Sequence, residues 1–167
     1  MPVSAEDVKK LRDLTGAGML DCKKALEETG GDFEKAKEQL KQKGFAAAAK
    51  RAERETVEGI IASYIHHNNR YGSLVEVNCE SDFVARTADF KELAQQLALH
   101  IAAAGPLYLS PEDLPEGSEE DPKAVCLLVQ PYVKDESKTV QDLVTETISK
   151  TGENIRVRRF ARFELGR

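Results

Sequence analysis

Two glycine-containing breaks divide residues 4–43 into three short segments whose apolar side chains recur at helical spacing. The breaks are "TGAGM" (15–19) and "TGGD" (29–32), and each precedes a new amphipathic run. Ser4 and Asp32 stand where residues that cap helix N-termini are expected. We therefore expect three helices, which together bury little surface and are typical of a docking module that spans residues 1–43.

Residues 44–55 are alanine-rich and charged, and we expect them to form a linker that is either helical or flexible. Beyond this linker, the pattern changes to runs that are rich in β-branched residues. Two such runs, separated by turn residues, predict a hairpin. The predicted elements are the hairpin strands at 56–66 and 71–80, a helix at 87–104, an acidic loop at 109–122, a buried strand at 124–133, a helix at 138–152 and a strand at 154–165. The fold class is therefore α+β. Residues 56–167 form a core domain whose mostly antiparallel sheet of three to four strands is covered by helices.

The composition, with a formal net charge of −5 and 32% charged residues, is that of a soluble globular protein. The negative charge argues against direct nucleic-acid binding, which requires a basic surface. Cys22, Cys79 and Cys126 lack the spacing of a disulfide framework or a zinc site. The sequence contains no secretion signal and no apolar run long enough to span a bilayer, so we expect a cytoplasmic protein without membrane contact.

No sequence motif of nucleophilic, metal-dependent or phosphate-cradling catalysis is present. His66 and His67 lie in the predicted hairpin turn without metal-ligating partners. His100 lies at the edge of a helical apolar stripe, where a histidine with satisfied hydrogen bonds is common. We therefore predict a protein that is not an enzyme and that uses no metal ion or cofactor.

The segment "NCESDFVAR" (78–86) joins a predicted strand to a predicted helix and places Asp82 beside Phe83 at the junction. One interpretation is that Asp82 caps the helix while Phe83 packs beneath it. The other is that both side chains are exposed and enter a partner. The residues alone leave both interpretations open.

The last predicted strand carries three arginines, Arg156, Arg158 and Arg162, which are expected to share one face with Phe160 between them. Such a mixture of arginine and aromatic residues occurs on RNA-binding sheets. The alternative is an exposed face on which the arginines pair with carboxylates, and the net charge favours this alternative.

Five motifs, in order from near the N-terminus to the last residues, resemble bacterial translation elongation factor Ts. They are "LRDLTGAGMLDCKKALEETGGDFEKA" (11–36), "LVEVNCESDFVAR" (74–86), "LALHIAAAGPLYL" (97–109), "QPYVKD" (130–135) and "GENIRVRRFARFELG" (152–166). The resemblance implies a guanine-nucleotide exchange factor that binds elongation factor Tu in its GDP-bound and nucleotide-free forms. It also implies that the N-terminal module has the ubiquitin-associated-like three-helix fold.

In this family a Thr-Asp-Phe-Val motif inserts its Phe between two helices of the Tu nucleotide domain and disturbs the Mg²⁺ site. The resemblance implies that this role falls to Ser81, Asp82, Phe83 and Val84, with serine in place of the usual threonine. The residues implied to dock on elongation factor Tu are Lys9, Arg12, Met19, Leu20, Lys23 and His100.

Longer family members carry two related core subdomains, whereas this chain has one, and its acidic loop stands where many relatives have a helical insertion. The resemblance therefore implies a homodimer, formed through exposed sheet surface such as the strand at 154–165. Two other functions remain open. One is a helical docking adaptor without exchange activity, and the other is an RNA-binding protein that uses the C-terminal arginine-rich strand.

Overall fold

The computed structural model describes residues 3–167 and divides the chain into two compact units. The first unit comprises the chain up to Arg54 together with Thr145–Asn154, and the second comprises Glu55–Val144 together with Ile155–Arg167. Within the described residues, no helix is long and apolar enough to cross a membrane. The same residues contain no group of three or more His, Cys, Asp or Glu side chains that could hold a metal ion.

The helices and strands confirm the predicted α+β class, although their order differs from the prediction between β2 and α7. The helices are α1 (Ala5–Thr15), α2 (Met19–Glu28), α3 (Phe33–Arg51), α4 (Asp82–Ala85), α5 (Ala88–Ala104), α6 (Pro122–Val125) and α7 (Val140–Thr151). The strands are β1 (Glu58–Ile65), β2 (Tyr71–Cys79), β3 (Pro131–Tyr132), β4 (Asp135–Thr139) and β5 (Ile155–Glu164).

The three N-terminal helices form where capping and glycine breaks predicted them. Ser4 and Asp7 form a reciprocal capping box at the start of α1, and Gly16 ends this helix with φ at +68°. Asp32 caps α3 by accepting a hydrogen bond from the backbone N–H of Lys35. The helices enclose a small core of Val8, Leu11, Cys22, Ala25, Leu26, Ala36 and Leu40. Helix α3 continues as far as Arg51, so most of the predicted linker is helical.

The second unit is built on an antiparallel sheet of order β1-β2-β5, with β2 in the centre. The predicted hairpin is confirmed as β1 and β2. Helix α5 covers one face of this sheet, and the hydroxyl of Ser73 on β2 donates to the backbone carbonyl of Ala98 at 2.6 Å. The apolar stripe of α5, at whose edge His100 was predicted to lie, is buried and consists of Phe90, Leu93, Ala94, Leu97, Ala98 and Ile101.

The predicted strand at 124–133 is wrong. Asp121 caps a short helical turn instead, and the backbone N–H of Leu127 donates to the carbonyl of Tyr108 rather than to the sheet. Within this run only Pro131–Tyr132 forms a strand, and it pairs with β4 in a separate two-stranded sheet. A short buried apolar run has no period that separates strand from helix, and this explains the error.

A bulge in β5 changes which side chains share a face. The register between β2 and β5 shifts between Glu76 and Val77, so Arg158 is an extra residue in β5. After the bulge, Arg162 turns toward α5, where its Nε donates to the backbone carbonyl of Ala102 at 3.0 Å. The prediction that the three arginines share one face is therefore wrong.

Candidate partner-binding site

Helix α4 forms a tip between β2 and α5 and presents Phe83 to solvent. Ser81, in extended conformation, caps α4 by accepting a hydrogen bond from the backbone N–H of Val84 at 3.3 Å. Phe83 is 76% exposed, whereas Val84 and Ala85 are buried beneath the helix. The interpretation that Asp82 caps the helix and Phe83 packs beneath it is therefore wrong. A large exposed aromatic side chain at a helix tip is available to a partner.

Asp82 stands beside Phe83 on the exposed side of α4. Its carboxylate forms an ion pair with the guanidinium of Arg86, one helical turn later, at 3.0 Å. Both side chains are more than half exposed, so the pair contributes little to stability. The carboxylate is therefore accessible to a partner at small energetic cost.

The two ends of α4 are held by side chains to which the sequence analysis assigned no role at this tip. The buried thiol of Cys79 donates to the backbone carbonyl of Ser81, with 3.2 Å between sulfur and oxygen. The hydroxyl of Thr87 donates to the backbone carbonyl of Val84 at 2.7 Å. Thr87 precedes an apolar helical run, which is the signal that could have identified it as a cap.

The predicted docking residues of the first unit lie on exposed helix surface. Leu20 at the start of α2 is 83% exposed, and Met19 beside it is also exposed. Lys9 and Arg12 on α1 and Lys23 on α2 are exposed as well. These side chains provide apolar and positively charged groups on two consecutive helices. Leu14 on α1 is also exposed.

His100 is in a different environment, since it is fully buried on α5. The backbone N–H of Val133 donates to its Nδ1 at 3.3 Å, so Nε2 carries the proton and donates to Oε1 of Gln130 at 2.9 Å. Burial lowers the pKa of His100, and the hydrogen bond with Gln130 opposes this shift. His100 presents no surface to a partner here, and its docking role rests on the resemblance alone.

The face of the β1-β2-β5 sheet opposite α5, called the open face below, carries exposed apolar side chains. They are Ile61, Ile65, Leu74 and Phe163. Among them, the carboxylate of Glu76 lies 2.7 Å from Nε of Arg159 and 3.9 Å from Nε of Arg158. The hydrogen bond from Arg159 is the main cause of a lowered pKa at Glu76.

Similarity to known proteins indicates the family to which the chain belongs. A family model described as Elongation factor TS matches residues 4–125. The chain is 50% identical to elongation factor Ts of Thermotoga petrophila, with 99% of this chain and 98% of the relative aligned. It is 48% identical to elongation factor Ts of Carboxydothermus hydrogenoformans, with 98% of this chain and 89% of the relative aligned.

The chain belongs to the elongation factor Ts family.

Membership in the elongation factor Ts family makes this chain a bacterial-type translation elongation factor of protein biosynthesis. The resemblance recognised from five motifs is thereby confirmed. Elongation factor Ts of Coprothermobacter proteolyticus, 49% identical, is aligned over its whole length with 99% of this chain. That alignment spans 196 positions against the 167 residues of this chain, so the relative carries residues that this chain lacks.

Proposed function

We propose that this protein is a guanine-nucleotide exchange factor for elongation factor Tu. The observation that carries the proposal is the exposed Phe83 on α4, within the family motif Ser81–Val84 and beside the accessible carboxylate of Asp82. The protein binds the GDP-bound form of elongation factor Tu, inserts Asp82 and Phe83 near the nucleotide, displaces Mg²⁺ and promotes release of GDP.

Physical chemistry supports this mechanism. GDP is held largely through its phosphates by backbone N–H groups and Mg²⁺, and Mg²⁺ requires near-octahedral ligand geometry. A small displacement of its ligands therefore weakens nucleotide binding. Burial of an exposed Phe side chain is worth about 1.5–3 kcal/mol, or roughly ten- to a hundredfold in an equilibrium. By linkage, a protein that binds nucleotide-free elongation factor Tu more tightly weakens its binding of GDP by the same factor.

The exposed residues on α1 and α2 are proposed to dock the protein on elongation factor Tu before the tip acts. Leu20 and Met19 supply apolar contact, and Lys9, Arg12 and Lys23 supply positive charge that steers encounter with an acidic surface. Exchange of this kind requires no covalent step, so the protein acts without being an enzyme and without a cofactor. A protein that acts on elongation factor Tu is expected in the cytoplasm.

The open face is proposed to pair with a second copy of the chain. Leu74 and Phe163 expose apolar surface there, and such surface is stabilised by burial against a partner. A two-fold interface brings one patch against itself, so the patch must be self-complementary in charge. The negative charge of Glu76 is already balanced by Arg159, and Arg158 adds a second positive group 3.9 Å from the carboxylate. A second copy would therefore meet no unbalanced acidic group at Glu76.

The test of the exchange function is the release of fluorescent GDP from elongation factor Tu in excess unlabelled GDP. We expect the protein to accelerate release at concentrations far below those of the nucleotide. Binding to elongation factor Tu without acceleration would contradict the proposal and favour a docking adaptor. RNA binding that weakens steeply with salt, without acceleration, would instead favour the RNA-binding function.

A further inference from the structure

Thr87 joins the exposed helix α4 to the buried helix α5. Its hydroxyl donates to the carbonyl of Val84, at the end of α4, and accepts from the backbone N–H of Phe90, in the first turn of α5, at 3.4 Å. The backbone N–H of Thr87 also donates to the carbonyl of Val84, at 3.0 Å. One side chain therefore closes the end of α4 and caps the start of α5.

The opposite end of α4 is held from the sheet. The thiol of Cys79, the last residue of β2, donates to the carbonyl of Ser81. That carbonyl also accepts the backbone N–H of Ala85 at 3.2 Å. The residue before α4 is thus tied both to the central strand and to the helix itself.

These contacts matter because a four-residue helix is not stable by itself. Without attachment at both ends, only the burial of Val84 and Ala85 would hold α4, and the exposed ring of Phe83 would be freer to collapse onto the protein's own apolar surface. A partner would then have to order the tip, and this cost subtracts from the binding energy. If α4 is already ordered in the free protein, less of the binding energy from insertion of Phe83 is offset by the cost of ordering the helix.

We propose that Thr87 is a positioning residue for Phe83, which holds α4 in the conformation that enters the partner, with Cys79 as its counterpart at the other end. The inference rests on the proposed exchange function and adds to it. Thr87 itself touches neither nucleotide nor metal in this role. It acts through the carbonyl of Val84.

The experiment compares three variants in the GDP-release assay over a range of protein concentrations. Thr87→Val keeps the shape of the side chain and removes its hydroxyl, and Thr87→Ser keeps the hydroxyl. Thr139→Val is the matched control, because Thr139 likewise accepts the backbone N–H of Asp142 as the cap of α7. We expect Thr87→Val to lower the maximal release rate about two- to tenfold, the effect of losing the hydrogen bond to the carbonyl of Val84. The half-saturating concentration should change less, because the docking residues of α1 and α2 are untouched.

We also expect two results from the control variants and one from hydrogen exchange. Thr87→Ser restores most of the rate, and Thr139→Val leaves it at the parent value. In the free protein, amide hydrogen exchange of residues 84–87 becomes faster in Thr87→Val and stays at the parent rate in Thr87→Ser.

Three outcomes would overturn the positioning role while leaving the exchange function in place. They are a parent rate in Thr87→Val, a defect in Thr87→Ser as large as that in Thr87→Val, and unchanged hydrogen exchange at the tip of Thr87→Val. An inactive parent protein would overturn the exchange function itself and any role of Thr87 in it. The parent measurement therefore separates the two failures.

Discussion

Neighbouring residues of α4 have opposite environments, and this division creates the tip. Val84 and Ala85 are buried and fix the helix, whereas Asp82 and Phe83 face solvent. Exposure of a ring as large as that of Phe83 is unfavourable in the isolated protein. The arrangement is understandable if the ring is buried in a complex.

The ion pair between Asp82 and Arg86 allows the role of the carboxylate to be separated from that of the pair. Asp82→Asn and Arg86→Gln each remove the pair, and each should change the free energy of unfolding by less than about 1 kcal/mol because both side chains are exposed. Only Asp82→Asn removes the carboxylate from the tip. We expect it to lower the maximal rate of GDP release about tenfold, the effect of one charge-assisted hydrogen bond.

Arg86→Gln serves as the control for this prediction and should release GDP at nearly the parent rate. Denaturant unfolding measures the stability of both variants, and the GDP-release assay measures their activity. Equal losses of rate in the two variants would show that the ion pair, and not the carboxylate, is what matters.

The position of Phe83 could be predicted from the sequence only in part. The pattern located the junction and the family motif, but it left open whether the ring was buried. The deciding residue was Ser81, which caps α4 one position earlier than Asp82 would have done. That shift turns Val84 and Ala85 inward and Phe83 outward, and a local pattern of four residues does not determine it.

At the level of elements, long periodic segments were predictable and short ones were not. Helix α5 was recognised because its apolar residues repeat over 17 residues. The strand β4, "DESKT", is too polar to be recognised, and the run at 124–133 forms turns held by contacts with residues 107–109. The bulge in β5 was not predictable either, because it depends on pairing with β2.

His100 on α5 contacts Gln130 and Val133, which precede β4, and the hydrogen bond from the backbone N–H of Val133 requires a neutral imidazole. The pKa of His100 lies below the ordinary value of 6.5, so the folded protein resists protonation that the unfolded chain accepts. The resulting stability is complete above about pH 6.5 and is lost as the pH falls below it. Protonation of Nδ1 would also break the hydrogen bond from Val133.

We therefore predict that His100→Gln reduces the dependence of unfolding free energy on pH below about pH 6.5. The difference in slope is at most about 1.4 kcal/mol per pH unit, the value for one proton. Denaturant unfolding at several pH values gives the slopes of parent and variant. A variant with the parent slope would show that His100 is not a source of the pH dependence.

For the whole molecule, we predict that the protein forms a dimer through the open face. Light scattering at working concentration should give twice the chain mass of 18.5 kDa for the parent. Leu74→Asp places a charge on the open face, and its burial in a dimer would be unfavourable, so this variant should be monomeric. Leu107→Asp is the matched control, since Leu107 is also exposed but lies outside the sheet.

The control variant is expected to remain a dimer. A parent protein with the mass of one chain would contradict the dimer, and dissociation of Leu107→Asp to the same degree would contradict the interface. The sequence alone could suggest a dimer only through the resemblance, because the open face becomes visible only when β1, β2 and β5 are paired.

The central claim is that the exposed ring of Phe83 drives nucleotide release. Its most direct test is the maximal rate of fluorescent GDP release from elongation factor Tu with the parent, with Phe83→Ala and with Leu107→Ala, which shortens another exposed apolar side chain. We predict a loss of about tenfold or more in Phe83→Ala, the value of burying the ring, with unchanged thermal stability and a parent rate in Leu107→Ala. Acceleration by Phe83→Ala equal to that of the parent would contradict the claim.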